Sequence, residues 1–386
     1  MRALPGALGL LLVGCGAAGG PKPADGAAGG YAWDLPPGFP EPVVPDDNPM
    51  TREKVELGRH LFYDERLSVT GDTACATCHE PALAFTDGLA VAEGATGQLH
   101  RRGAMSLVNV AYVSGLTWVN PLMRTLEKQA MVPLFGTEPV EMGLEGIEGA
   151  VLDALAADPV YQGLWPAAFP PEDGGDSGDG GGAFTLEQLV MALAAFERTL
   201  VSGESPYDRY LNLGDTTAMS QEARDGMALF FSERLECYHC HGTFLLSDSV
   251  AVEGAFAELY FHNTGLYNLD GQGAYPLRDQ GLYEHTTLAA DMGRFRAPSL
   301  RNIALTAPYM HDGSIADLDG VLDHYAAGGR TVAEGPDAGV GADSPLKSYL
   351  LRGFELTDAE RAQMKAFLHS LTDEAALQDP DWQDPW

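Results

Sequence analysis

Apolar residues recur at helical spacing in two widely separated stretches that match each other. Residues 57–67 read LGRHLFYDERL and residues 225–235 read DGMALFFSERL. Gly58 aligns with Gly226, Leu61 with Leu229, Phe62 with Phe230, and Glu65-Arg66-Leu67 with Glu233-Arg234-Leu235. One unit is therefore written twice along the chain. Each unit also ends in an amphipathic segment. Leu189, Leu193, Phe196 and Leu200 form one apolar stripe, and Met364, Phe367, Leu368 and Leu371 form the other. Thr185 with Gln188, and Thr357 with Glu360, have the spacing of a capping box at the start of these two closing helices. Alternation of the β type is scarce, so the pattern predicts a mostly α protein. The stretch PEDGGDSGDGGG at 171–182 reads as a solvated surface loop.

Composition narrows the function. The chain has 386 residues, with 55 acidic and 23 basic side chains and a net charge of −32. That field disfavours nucleic acid and anionic lipid surfaces. Residues 1–14 carry one Arg and a short apolar run ending in Leu12-Val13-Gly14-Cys15, the form of a bacterial lipoprotein signal in which Cys15 is acylated. Ordinary signal cleavage is the alternative. The expected product is exported to the periplasm and touches a membrane only through that lipid. The organisation then reads as a flexible tether and leading segment at 15–45, an N-terminal domain at 46–212, a C-terminal domain at 213–372 and a tail at 373–386.

The chemistry lies just beyond each opening helix: CATCH at 75–79 and CYHCH at 237–241. Two thiols three positions apart reach both vinyl groups of one porphyrin, and the next residue sets an imidazole under the iron. Cys75, Cys78 and His79 are thus expected to hold one c-type haem, and Cys237, Cys240 and His241 a second. A redox-active dithiol and a four-cysteine zinc site are the rival readings. Zinc ribbons separate their pairs by about 15–20 residues, and neither rival requires His after both pairs.

With these motifs, the stretches GRHLFYDERLS, CATCHEPALAFTDG, GAMSLVNVAY, LEKQAMVPLF and RAPSLRNIALTAPYMHDGS resemble the bacterial di-haem cytochrome c peroxidase and MauG family over nearly all of residues 40–372. WDLPPGFPEPVVPDDNPM and LTWVNPLMRTLEKQAMVPLFG look closer still to its MbnH branch, whose members use peroxide to oxidise a Trp in a partner of the MbnP type. The resemblance implies two cytochrome c-like domains, each with one haem, the first reacting with hydrogen peroxide. It implies distal roles for Gln129, Pro133 and Glu141, with Glu138 as a rival for the acid, and a place between the haems for Trp118. It implies a calcium ion held by Asn109 and by the main-chain carbonyls of Thr306 and Pro308. His100 lies near where some members carry a removable iron ligand; a surface-loop His beside Arg101 and Arg102 is the expectation.

The sixth ligand of the second haem decides the chemistry. Met310 lies in PYMHDG, and Tyr325 stands fourteen residues after His311. That spacing places Met in the detoxifying peroxidases and Tyr in MauG, so Tyr325 is assigned and Met310 is read as packing. A thioether raises the potential and suits a haem that collects electrons. A phenolic oxygen favours higher-valent iron and suits sharing an oxidising equivalent. The expectation is an oxidant of a partner protein. A peroxidase fed by a small redox donor and a non-enzymatic electron carrier are the alternatives. In MauG the position of Leu235 holds a Trp that relays radicals outward; its absence here points to another exit or another docking geometry.

Overall fold

The computed structural model describes residues 31–171, 184–254, 257 and 259–386. The signal segment, Cys15, the first part of the tether and nearly all of the Gly-rich loop lie outside the described residues.

The duplicated pattern becomes two duplicated helix pairs. Arg52–Phe62 opens the first half and crosses the closing helix Leu186–Arg198; Gln221–Phe230 opens the second and crosses Asp358–His369. The matched glycines sit at the crossings. A Cβ on Gly58 would stand 1.9 Å from the Ala192 carbonyl oxygen, and one on Gly226 would stand 1.9 Å from that of Gln363. Only glycine lets the two backbones approach so closely. Around each crossing lies a core: Leu57, Leu61, Phe62, Leu193 and Phe196 in one half, and Phe230, Leu235, Met364, Phe367 and Leu368 in the other. The only extended pairing named as strands among the described residues is Thr331–Val332 with Gly339–Val340.

Hydroxyl side chains cap helix starts among the described residues. Thr51, Thr185, Ser220 and Thr357 each accept from a main-chain N–H of the first turn. The reciprocal half of the capping box forms at Thr357, whose N–H donates to Glu360 at 2.9 Å, and also at Ser205, whose N–H donates to Asp208 at 3.1 Å. At Thr185 the expected partner is diverted: Gln188 Oε1 accepts the Trp165 indole N–H at 2.8 Å. Tertiary packing offered Gln188 a buried donor, which outweighs a second cap bond at an exposed helix end.

The seam between halves differs from a cut at 212/213. The helix Pro206–Asn212 packs Tyr207 into the second core, where its ring meets Phe367 edge-on at 5.7 Å. The tail returns to the first half, with Leu377 and Trp382 in its core. Between them a joint forms around Ser202. Asn109 and Asn302 are paralogous positions, in LVNVAY and LRNIAL, and both hold left-handed backbone (φ +62° and +60°). The Asn109 amide donates to the Ser202 carbonyl (2.9 Å) and accepts the Ser202 N–H (3.0 Å). Asn302 donates to Ser202 Oγ (3.1 Å) and accepts the Asp373 N–H (2.8 Å). Asp373 Oδ2 in turn accepts from Ser202 Oγ and from the N–H groups of Gly203 and Glu204.

Candidate functional site

Each Cys-x-x-Cys-His forms one wall of its own cavity, and each cavity has a volume of about 380 Å³. Cys75, Cys78 and His79 face the first; Cys237, Cys240 and His241 face the second. The two cysteine pairs do not converge, which removes the shared zinc site. Burial pushes the Cys75 and Cys237 thiols up to about 12 and Cys78 up to about 11, the opposite of what a reactive dithiol needs.

The two histidines are oriented identically. His79 Nδ1 lies 2.9 Å from the Phe85 carbonyl, and His241 Nδ1 lies 2.8 Å from that of Leu246. Both carbonyl-bearing residues hold positive φ (+59° and +51°), which turns each carbonyl back onto its ring. With Nδ1–H donating, each Nε2 keeps a free lone pair on the cavity side. Burial also lowers both imidazoles below their ordinary range, so they are neutral.

Residues between the cavities fit a charged, planar guest. Arg296 lines both cavities and is 5% exposed. Among the described residues its guanidinium makes no ion pair: it reaches the carbonyls of Thr117 and Ala297 and the Met105 sulfur, at 3.3–3.6 Å, and feels the Asp248 charge without contact. Burial lowers it to about 10. A buried cation without a carboxylate partner is costly, and haem propionates would supply the missing charge. Arg296 lies inside the RAPSLRN stretch, but nothing in sequence spacing marks it as shared between sites.

The predicted distal residues meet in the first cavity. Gln129 and Pro133 project from the helix Leu126–Phe135, and Glu138 and Glu141 line the same space. The Pro133 and Leu134 carbonyls accept from the Met142 and Leu144 N–H groups (2.9 and 2.8 Å), holding the Glu141 segment against that helix. Burial raises the Glu141 carboxyl above the usual range. Trp118 lines both cavities, with its indole N–H donating to the Gly103 carbonyl at 3.1 Å.

Tyr325 and Met310 both line the second cavity. Tyr325 projects from the helix Leu318–Ala326 and its hydroxyl has no hydrogen bond to a described residue; burial, with Cys240 and Cys237 nearby, raises it. Met310 packs against the second core. Leu235 lines the same cavity and belongs to that core.

One expectation changes. His100 is not a surface-loop residue: it is half-buried and lines the first cavity, with Nε2 3.8 Å from Glu141 Oε1. Sequence shows only a His beside two Arg; the ion pairs that fold this loop inward come from residues about 180 positions away. Asn109 lines neither cavity; its amide donates to the Ser202 carbonyl and accepts the Ser202 N–H. Thr306 and Pro308 come after the 3-10 turn Ile303–Leu305 and also lie outside both cavities.

No helix among the described residues is long and apolar enough to cross a membrane. The family model for di-haem cytochrome c peroxidase matches residues 52–216. The chain is 34% identical to the methylamine utilization protein MauG of Methylorubrum extorquens over 338 residues, covering 87% of this chain and 83% of that protein. It is 35% identical to the cytochrome-c peroxidase IdrP1 of Denitromonas iodatirespirans, covering 90% of this chain and 89% of the relative. A crystal structure of a MauG-like protein associated with microbial copper homeostasis superposes with a TM-score of 0.87 at 45% identity, covering 92% of this chain and 99% of that one.

Proposed function

Because this chain belongs to the di-haem cytochrome c peroxidase family, and is a haem-dependent oxidoreductase of peroxidase type, we propose that it uses hydrogen peroxide to oxidise a partner protein, at a Trp side chain of an MbnP-like substrate. The observation that carries this reading is the Tyr325 hydroxyl, without a hydrogen bond to any described residue, at the wall of the second cavity. An oxygen donor there favours holding an oxidising equivalent over collecting electrons.

When bound, the two c-type haems would supply iron that reacts with peroxide and stores two oxidising equivalents. Cys75 and Cys78, and Cys237 and Cys240, would anchor them, and His79, His241 and Tyr325 would ligate their iron. The chain's own part is to move protons and exclude water. Glu141, held in a buried pocket, takes a proton from one peroxide oxygen and returns it to the other. Gln129 offers an amide beside it, and Pro133 closes the wall without a main-chain donor. Trp118, as a wall common to both cavities, is the side chain placed to couple them. A partner too large to enter either cavity is reached from the protein surface. The reading keeps export and acylation at Cys15. It keeps the calcium set that the resemblance implies, Asn109 with the carbonyls of Thr306 and Pro308: the Asn109 amide oxygen accepts one N–H, from Ser202, and retains a second lone pair.

The test is to incubate the haem-loaded protein with peroxide and candidate partners and to weigh each partner intact. Added oxygen on one partner is expected; unchanged masses throughout would count against the reading. Met310 in the second cavity favours one alternative, a peroxidase fed by a small donor. A near-infrared Met-to-iron band in the oxidised protein would select it.

A further inference from the structure

The first cavity contains a histidine that the proposed peroxide chemistry does not use. His100 sits on a strap, residues 92–102, whose main chain is pinned at several points. Its N–H donates to the Ala92 carbonyl (2.7 Å), and Ala92 N–H donates to that of Arg102 (3.1 Å). The same strap holds the Glu141 segment: Ala95 N–H donates to the Glu141 carbonyl (2.7 Å), and Gln98 Oε1 accepts the Val140 N–H (3.1 Å). Beyond His100, the strap is clamped to the other half of the molecule. Arg102 makes a two-pronged pair with Asp279 (2.6 and 2.7 Å), and Arg101 pairs with Glu284 (2.9 Å). His100 and Glu141 therefore face each other because both main chains are fixed.

The ring has one tautomer available. The Arg102 main-chain N–H donates to His100 Nδ1 at 3.1 Å, so the proton of the neutral ring is on Nε2, the atom 3.8 Å from Glu141 Oε1. Protonating Nδ1 as well would set two N–H groups against each other. Burial and the two neighbouring guanidiniums act in the same direction, lowering His100. Other charged or titratable groups around the pair are Cys78, Glu93, Glu138 and His285 in the cavity wall and Glu284 and Asp279 behind the strap.

We infer that His100 is a positioning residue for Glu141: a neutral imidazole whose Nε2–H is aimed at Oε1 and closes on it as peroxide enters. The 3.8 Å gap is wider than a hydrogen bond, as catalytic contacts commonly are before a ligand arrives. The donor holds one carboxylate oxygen and leaves the other to receive the peroxide proton. It also favours the ionised carboxylate, against the burial that raises it. His100 donates a hydrogen bond and transfers no proton, and it binds no iron. This inference rests on the peroxide reading of the first cavity.

The experiment uses the full-length haem-loaded protein as wild type, H100L, H100N and H100Q. Haem content and melting temperature are measured first, so that a folding defect is recognised. Two rates are then tracked against pH: the Soret change on adding peroxide, and the binding of cyanide, which enters as HCN and must also leave its proton on a distal base. With H100L and H100N the acid limb of both profiles should move up by about one pH unit, and the rate at that limb should fall about tenfold. H100Q, which keeps an N–H at the Nε2 position, should stay near wild type. The resting ferric spectrum should not change coordination in any variant. Profiles of H100L and H100N that coincide with wild type would overturn the inference, and so would conversion of the first haem from six- to five-coordinate, which would make His100 a ligand. A wild type that binds cyanide normally but ignores peroxide sinks the functional reading instead, and leaves the cyanide profiles to decide on His100.

Discussion

At the scale of single residues, the site is a set of side chains whose ordinary preferences have been overridden by burial. Burial raises the Glu141 carboxyl above its ordinary range, the direction that the proposed proton relay requires. Glu141→Gln keeps the shape and removes the base. We expect the peroxide-induced spectral change to slow by about 10²–10⁴-fold with haem content intact, as stopped-flow measurement would show; a rate within threefold or so of wild type would transfer the role to Glu138. The proposed haem-attachment residues were legible in sequence because the spacing of CATCH and CYHCH is itself the chemical requirement. His100 was not, because a lone imidazole carries no pattern. Its role depends on where a strap is tied down.

At the scale of elements, the duplicated pattern translates directly into duplicated packing. The matched glycines mark the places where two helices cross with no side chain between them. A methyl group at either would overlap a carbonyl oxygen by well over an ångström. Gly58→Ala and Gly226→Ala should each lower stability by about 1–3 kcal/mol or more, read as a fall in melting temperature. Each should chiefly affect retention of the haem in its own half. Equal loss of both haems from either variant would show that the halves do not fold as separate packing units. The apolar stripes of the closing helices were readable from periodicity alone. The fate of Gln188 was not, because a capping box is a local arrangement and Trp165 arrives from another helix.

At the scale of the whole molecule, polar contacts join the two halves at several places, and two of them carry buried side chains. One is the Ser202–Asn109–Asn302–Asp373 joint; the other is the Arg102–Asp279 pair, both partners buried. Burial alone would raise Asp279, but hydrogen bonds and charge from Arg102, with His311 beyond, hold it below the ordinary carboxylate range. A depressed folded value means that the pair's stabilisation is complete above the unfolded pKa of about 3.9 and is lost as pH falls through the folded value. Asp279→Asn should therefore cost about 3 kcal/mol at neutral pH, and the gap to wild type should narrow in acid, below about pH 4. Thermal melts of both proteins across that range check this. A gap independent of pH would mean that the pair contributes shape rather than charge.

By itself the sequence determined that there are two units, that each is helical, and which Cys-x-x-Cys-His residues are proposed to attach and ligate each haem. Those features are written in local periods and spacings, and a period survives without knowledge of the rest of the chain. Tertiary structure alone decided which half owns the helix at 206–212 and the tail, that Arg296 serves both cavities, that Asn109 is a joint, and that His100 looks at Glu141. Each of these depends on partners brought together across long stretches of chain, where contact is settled by packing and by the cost of leaving a buried charge or amide unpaired.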